Sequence, residues 1–315
     1  MTNLFIIGNG FDLAHGMKTK YSDFKKFLID NYLDGKYTPY LFCDVPQTTL
    51  MPDGDEQYNE KDVVESILKI LDETEGVDWN NVEASLGHLQ YYHFLDDYEF
   101  YDTEDDNYMR DTYYRNQDLS GQLCGALCQI NRYFQEWVET IEIATIPKKD
   151  FIEIINPHKD LFLNFNYTST LQDLYNIQKV CHIHGTANDK IYFGHGESEC
   201  PRDEYEKYWF GAESSLERLH FDLRKNTDEA LKNHKDFFNE LYFSARNSTL
   251  DIYSYGFSFS NVDKFYLEKI CKVIDTKPIC FYMNDYDNAL KRKHFTEVLL
   301  DSGFKGQISS FHIEK

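Results

Sequence analysis

Four consecutive apolar residues, Leu4-Phe5-Ile6-Ile7, run straight into Gly8-Asn9-Gly10, and this junction restricts the architecture more than any other stretch of the chain. A short strand that is apolar on both sides belongs in the middle of a parallel sheet, covered from above and below. Gly-Asn-Gly ends the strand, and Phe11, Leu13 and Ala14 begin a helix, so the segment reads as the first βα unit of an α/β protein. Glycine at positions 8 and 10 lets the backbone turn sharply around Asn9 and approach a phosphate. The full dinucleotide pattern requires glycine at position 13, where Leu13 stands, which leaves a plain βα turn as the other reading of this motif.

Helical spacing takes over near Tyr21, where Ser22 is suited to cap a helix bearing Phe24, Phe27, Leu28 and Tyr32. Val63, Val64, Ile67, Leu68 and Leu71 mark a second helix, and residues 119–143 a third. Residues 90–118, dense in Tyr, Asp and Glu, have the composition of a solvated loop. Strand patterns resume at residues 161–165, 180–183, 191–193, 250–255, 278–283 and 308–313, with helical stretches at 227–246, 262–274 and 287–300. This alternation predicts an α/β, Rossmann-like doubly wound parallel sheet from residues 1–20 and 150–315. A mostly helical insert, residues 21–149, interrupts it after the first βα unit.

The chain's 315 residues, 42% of them hydrophobic, suffice for a real core. A formal charge of −22 repels nucleic acid and anionic lipid, both of which are bound mainly through Lys and Arg. With no basic leader and no apolar stretch long enough to span a bilayer, a soluble cytoplasmic location is expected. Seven scattered cysteines read as reduced thiols. Cys124 and Cys128, one helical turn apart, would need two further ligands to hold a metal, so no metal is expected.

Two segments place polar residues at the carboxyl end of a predicted strand, where open α/β sheets bind ligands. They are Asn164-Phe165-Asn166-Tyr167-Thr168 and His182-Ile183-His184-Gly185. His182 and His184 alternate along a strand and are expected on one side of it, so His182 is the rival of His184 as a base. Asp12 reads either as a charge on the first helical turn or as part of a ribose pocket. His15 reads as a helix-surface residue, Trp79 as core with Glu83 one turn on, and His195 as a loop histidine within occasional reach of a ligand.

Residues 5–16, followed by Tyr21-Ser22-Asp23-Phe24, resemble the opening of the AbiH family of bacterial abortive-infection proteins, which act against phage. Asp78-Trp79-Asn80-Asn81-Val82-Glu83 and Asn164-Phe165-Asn166-Tyr167-Thr168 are similar to that family as well. At greater distance the same landmarks resemble sirtuin-like NAD-consuming domains of bacterial defence systems. That resemblance implies a catalytic Asn at Asn166 and a catalytic His at His184, with Gly8, Asn9 and Gly10 at the NAD phosphates. It places Gly256 and Ser258, followed by Asp263, under the dinucleotide and Asn284 at the adenosine ribose. Asp12 stands where the sirtuin turn has Ser, Thr168 where the defence enzymes have Asp, and the sirtuin zinc module is missing, which argues against protein deacylation.

The implied activity is hydrolysis of NAD to nicotinamide and ADP-ribose, with NAD as substrate and no cofactor required. A non-catalytic sensor of NAD or ADP-ribose in phage defence is the alternative, and an interaction protein with an empty core a third reading. A homo-oligomer or a phage-derived trigger are the partners in view. Gly8, Gly10, Asn166, His184, Gly256 and Asn284 are expected along one cleft, and Gly10→Val is expected to block NAD while sparing the fold.

Overall fold

The computed structural model describes residues 2–38, 44–54, 56–73, 79–92, 94–95 and 106–313. In chain order, β1 (Thr2–Ile7) and α1 (Asn9–Ala14) are followed by α2 (Tyr21–Tyr32), β2 (Thr48–Leu50), β3 (Glu56–Tyr58), α3 (Glu60–Glu73) and α4 (Trp79–Ser85). Next come α5 (Asp106–Leu127), α6 (Ile130–Glu139), α7 (Lys149–Ile154), β4 (Leu161–Asn164), α8 (Thr170–Tyr175) and β5 (Val180–His182). Then follow α9 (Arg202–Tyr208), α10 (Glu213–Asp222), α11 (Thr227–Asn233), α12 (Lys235–Asn247) and β6 (Leu250–Tyr255). The chain closes with α13 (Lys264–Val273), β7 (Cys280–Asn284), α14 (Ala289–Asp301) and β8 (Gln307–Phe311).

The chain divides into two compact units. One comprises Met1–Lys20, Gln135–Tyr192 and Asn226–Lys315, and the other Tyr21–Phe134 and Phe193–Lys225. Among the described residues the first unit holds a six-stranded, all-parallel sheet in the order β5-β4-β1-β6-β7-β8. Numbered within this sheet alone, that is 3-2-1-4-5-6, the Rossmann order, whose direction reverses between β1 and β6. This is the α/β class that the apolar runs and intervening helices predict.

Side-chain alternation explains why Leu4 to Ile7 of β1 had to be apolar throughout. Leu4 and Ile6 enter a core with Leu161, Leu163, Leu250, Ile252, Phe281 and Met283, while Phe5 and Ile7 enter the core on the opposite face with Phe11, Phe151, Phe162 and Leu171. On the second face four rings from adjacent strands stack in register. Phe162–Phe5, Phe5–Tyr253 and Tyr253–Tyr282 have centroids 5.2, 5.1 and 4.7 Å apart.

Several expected elements differ. Residues 191–193 form no strand: Tyr192 joins the first unit's core and donates its N–H to His184 O, whereas Phe193 stacks on Phe134 in the second unit. Their apolar character thus serves two cores rather than a sheet. Helix α5 begins at Asp106, inside the stretch expected to be loop, because it buries Thr112, Asn116 and Ser120 at a spacing of four. Residues 93 and 96–105 of that stretch lie outside the described residues, as does Asp78. The third helical stretch is two helices, α5 and α6, and residues 227–246 are also two, α11 and α12, parted at His234. Ser22 lies inside the first turn of α2, which starts at Tyr21. The second unit also contains the antiparallel pair β2–β3, for which the sequence carries no clear signal.

Candidate functional site

The registers align the carboxyl ends of the strands. Asn164 pairs with both Ile7 and His182, Ile7 with Tyr255, and Ser254 with Met283, which sets Asn284 level with Tyr255. Polar residues therefore end β4, β5 and β7 in one row, beside the point where the strand order reverses and where ligands of such sheets bind.

At that point Gly8, Gly10 and Gly256 pack backbone against backbone. Gly8 N–H donates to Tyr255 O (3.0 Å) and Gly10 N–H to Gly256 O (3.0 Å). A Cβ at Gly10 would lie 2.6 Å from Gly256 Cα, and one at Gly8 2.6 Å from Gly256 O. The absence of side chains thus lets β6 meet the first turn, and valine at position 10 would strike the backbone of Gly256. The expectation that Gly10→Val spares the fold is corrected on this ground. Asn9, half-buried, donates its amide to Thr19 O (3.0 Å).

Asn166 is held from several sides. Its backbone N–H donates to Asn164 Oδ1 (3.1 Å), its Nδ2 to Gly8 O (3.1 Å), and its carbonyl accepts from His182 Nδ1 (3.1 Å). His182 Nε2 lies 2.8 Å from Gln172 Nε2, an arrangement that fits a neutral ring protonated on Nδ1. Burial also disfavours the charged ring, and its pKa falls. His182 is therefore a brace for Asn166.

Asp12 lies beneath the same loop, 1% exposed. It accepts hydrogen bonds from Thr168 Oγ1 (2.6 Å) and Thr170 Oγ1 (2.9 Å), and the Asn166 side chain bonds to it too. Desolvation outweighs these donors and pushes its pKa from 3.8 up to about 6. Because folding raises this pKa, the associated stability is fully present below pH 3.8 and drains away as pH rises through about 6. That span amounts to about 3 kcal/mol. Asp12→Asn is accordingly expected to remove a fall in melting temperature between pH 4 and 6. Parallel melting curves for wild type and variant across that range would refute it.

His184 does not share the surroundings of His182, because the strand ends at His182 and the chain turns. The alternation argument therefore fails at that position. His184 packs against Phe165 (5.0 Å) and Tyr266 (5.6 Å), both members of the Leu4–Ile6 core, and its Nε2 lies 3.1 Å from Asp263 Oδ1. Asp263 Oδ2 accepts from Ser260 Oγ (3.1 Å) at the 3-10 turn Asn261–Asp263, which follows β6. A buried carboxyl group behind an imidazole fixes the orientation of its ring. Tyr167, next to Asn166, also lies against the His184 ring (6.1 Å), so one loop touches both groups.

Ser258 is exposed beyond β6. Asn284, buried at the end of β7, accepts from Tyr286 N–H through Oδ1 (2.9 Å), while its buried Nδ2 has no hydrogen-bond partner among the described residues. The sequence reading did not single out Asn164, Gln172 or Thr170, and only the loop following a strand hinted at the first.

Three other candidates lie elsewhere. His15 caps the end of α1, with Nδ1 bonded to Phe11 O (2.7 Å) and Nε2 to Tyr175 Oη (2.6 Å), so it is a half-buried tie and not a surface residue. His195 belongs to the second unit and is fully buried, with Nε2 donating to His220 O (2.8 Å) and Nδ1 accepting from Glu197 N–H (3.2 Å). Desolvation lowers its pKa to about 4, and both ring nitrogens are bonded within the second unit. Glu83 lies 2.8 Å from Lys225 Nζ within the second unit, both buried. The Trp79 side chain lies outside the described residues.

Cys124 Sγ donates to Ser215 O (3.0 Å) and Cys128 Sγ to Asp222 (3.6 Å). Among the described residues no three His, Cys, Asp or Glu side chains gather to hold a metal, and no helix is long and apolar enough to cross a membrane.

Comparison with known proteins matches no curated protein and no solved structure. A family profile, described as "Bacteriophage abortive infection AbiH", matches residues 4–285, a span that takes in Leu4 to Ile7 of β1, the Asn166 loop, His184, Gly256 and Asn284. The chain belongs to the AbiH family of bacteriophage abortive infection.

Proposed function

We propose that this AbiH protein acts in abortive infection by hydrolysing NAD at the nicotinamide–ribose bond. The observation that carries the reading is the placement of Asn166 and His184 on the loops leaving the neighbouring strands β4 and β5, with Asp263, from the turn after β6, 3.1 Å from His184 Nε2, at the carboxyl edge of a Rossmann-ordered sheet. Water would form a bond to the anomeric carbon as the carbon–nitrogen bond breaks, the electron pair leaving with neutral nicotinamide. The leaving group is already cationic, so orientation, proton acceptance and exclusion of bulk water suffice. Asn166 would hold the ribose or the water, and His184, backed by Asp263, would accept the proton. The unpartnered Nδ2 of Asn284 suits a ribose hydroxyl.

One feature favours a second reading, an interaction protein whose core holds no nucleotide. The N–H groups of Gly8 and Gly10 are already bonded to Tyr255 O and Gly256 O, so a nucleotide phosphate would not find them open.

Purified protein incubated with NAD should release nicotinamide. Asn166→Ala should lower the rate about a hundredfold or more at every pH, and His184→Ala should in addition remove the rise of rate with pH. His182→Ala should be milder and keep that rise. Loss of the rise in His182→Ala but not in His184→Ala would reverse the assignment. No nicotinamide release, with NAD still raising the melting temperature, would favour a non-catalytic sensor.

A further inference from the structure

We propose that β8 is a dimerisation edge, pairing antiparallel with β8 of a second copy about a twofold axis at Ser309. The inference is independent of the NAD reading. β8 ends the sheet. Gln307 N–H donates to Ile279 O and Phe311 O accepts from Asp285 N–H, both at 3.0 Å, so the backbone groups of Gln307, Ser309 and Phe311 point inward to β7. In a strand the N–H and C=O of one residue point the same way and alternate along the chain. Those of Ile308 and Ser310 therefore point outward, from a strand whose Gln307, Ser309 and Ser310 are exposed.

A row of outward N–H and C=O groups is a template for another strand, and single chains usually blunt it with charge, proline or a bulge. Residues 307–311 hold no charge and no proline, in a chain that is 27% charged. Antiparallel pairing about Ser309 sets Ile308 opposite Ser310 of the second copy and Ser310 opposite its Ile308, so each outward N–H meets a carbonyl in four hydrogen bonds. Side-chain sizes agree. The pair on the axis, where antiparallel strands come closest, is serine against serine, and the larger Ile308 faces serine.

Self-pairing brings no like charges face to face, which matters for a chain of net charge −22. It also closes the assembly at two copies, as an isologous contact does. The opposite edge, β5, is only three residues long and its last two are buried.

Analytical ultracentrifugation of the full chain at micromolar concentration should give twice its mass of 37.3 kDa. Ser309→Lys sets two ammonium groups across the axis, and Ser310→Pro removes an outward donor while leaving the bonds to β7 intact. Each should weaken self-association at least about tenfold while the monomer keeps its far-ultraviolet circular dichroism. Mixing Ser309→Lys with Ser309→Glu protein should restore a dimer. A monomeric wild type overturns the proposal, as does a dimer that both variants leave intact.

Discussion

Replacing Gly256 with valine is expected to deprive the protein of a stable fold. Gly256 has φ +67°, a conformation that a β-branched residue adopts only under strain of order 1–3 kcal/mol. Any Cβ there would also overlap the Phe11 nitrogen and stand 2.5 Å from Gly10 Cα. The neighbours are backbone atoms of the first βα unit, which rotamer changes do not relieve. Overpacking of this kind adds a few kcal/mol more, against a typical total of about 5–15 kcal/mol. The protein should appear in the insoluble fraction, and whatever is recovered should unfold at much lower urea. A wild-type midpoint would mean that β6 moves away from the turn at little cost. Gly10→Val should fail in the same way, so neither variant isolates nucleotide binding from folding.

A comparable loss is expected on removing one partner of the buried Glu83–Lys225 pair. Lys225 is 1% exposed, and Glu83→Ala leaves its ammonium without the carboxylate 2.8 Å away. Breaking a buried pair from one side typically costs about 3–5 kcal/mol, whereas replacing both partners by apolar groups is close to neutral. Glu83→Ala should therefore unfold the second unit at markedly lower denaturant, and Glu83→Ala with Lys225→Met should recover most of the difference. Additive losses in the double variant would show that the pair contributes little and that each residue acts through other neighbours.

The sheet was legible because its inner strands interrupt polar sequence with apolar residues, and β1 most plainly, being covered on both faces, whereas β8 carries only Ile308 and Phe311 among polar residues. The glycines of the first turn were legible as places where something comes close. Sequence pattern suggested a phosphate, whereas the atoms in contact belong to Gly256, and the lack of a Cβ serves either partner equally. The first part of helix α5 escaped detection because its buried residues there include Thr112 and Asn116, which no hydrophobic period reveals. Lys225 was equally silent, since a lysine carries no local sign that a distant glutamate will neutralise it. His182 and His184 misled for a geometric reason. Alternation holds only within a strand, and the chain turns between them.

The central place of β1 also sets a timetable for the newborn chain. Its two sheet neighbours, β4 and β6, begin at Leu161 and Leu250, so the first strand leaves the ribosome long before either exists. At about 5–20 residues per second, the ribosome needs roughly 8–30 s to travel from Ile7 to Leu161. The second unit waits as well, since Tyr21–Phe134 is completed only by Phe193–Lys225. Folding is therefore expected to come late in translation, and chains released early should emerge as sticky, protease-sensitive fragments with Leu4 to Ile7 uncovered rather than as smaller folded proteins.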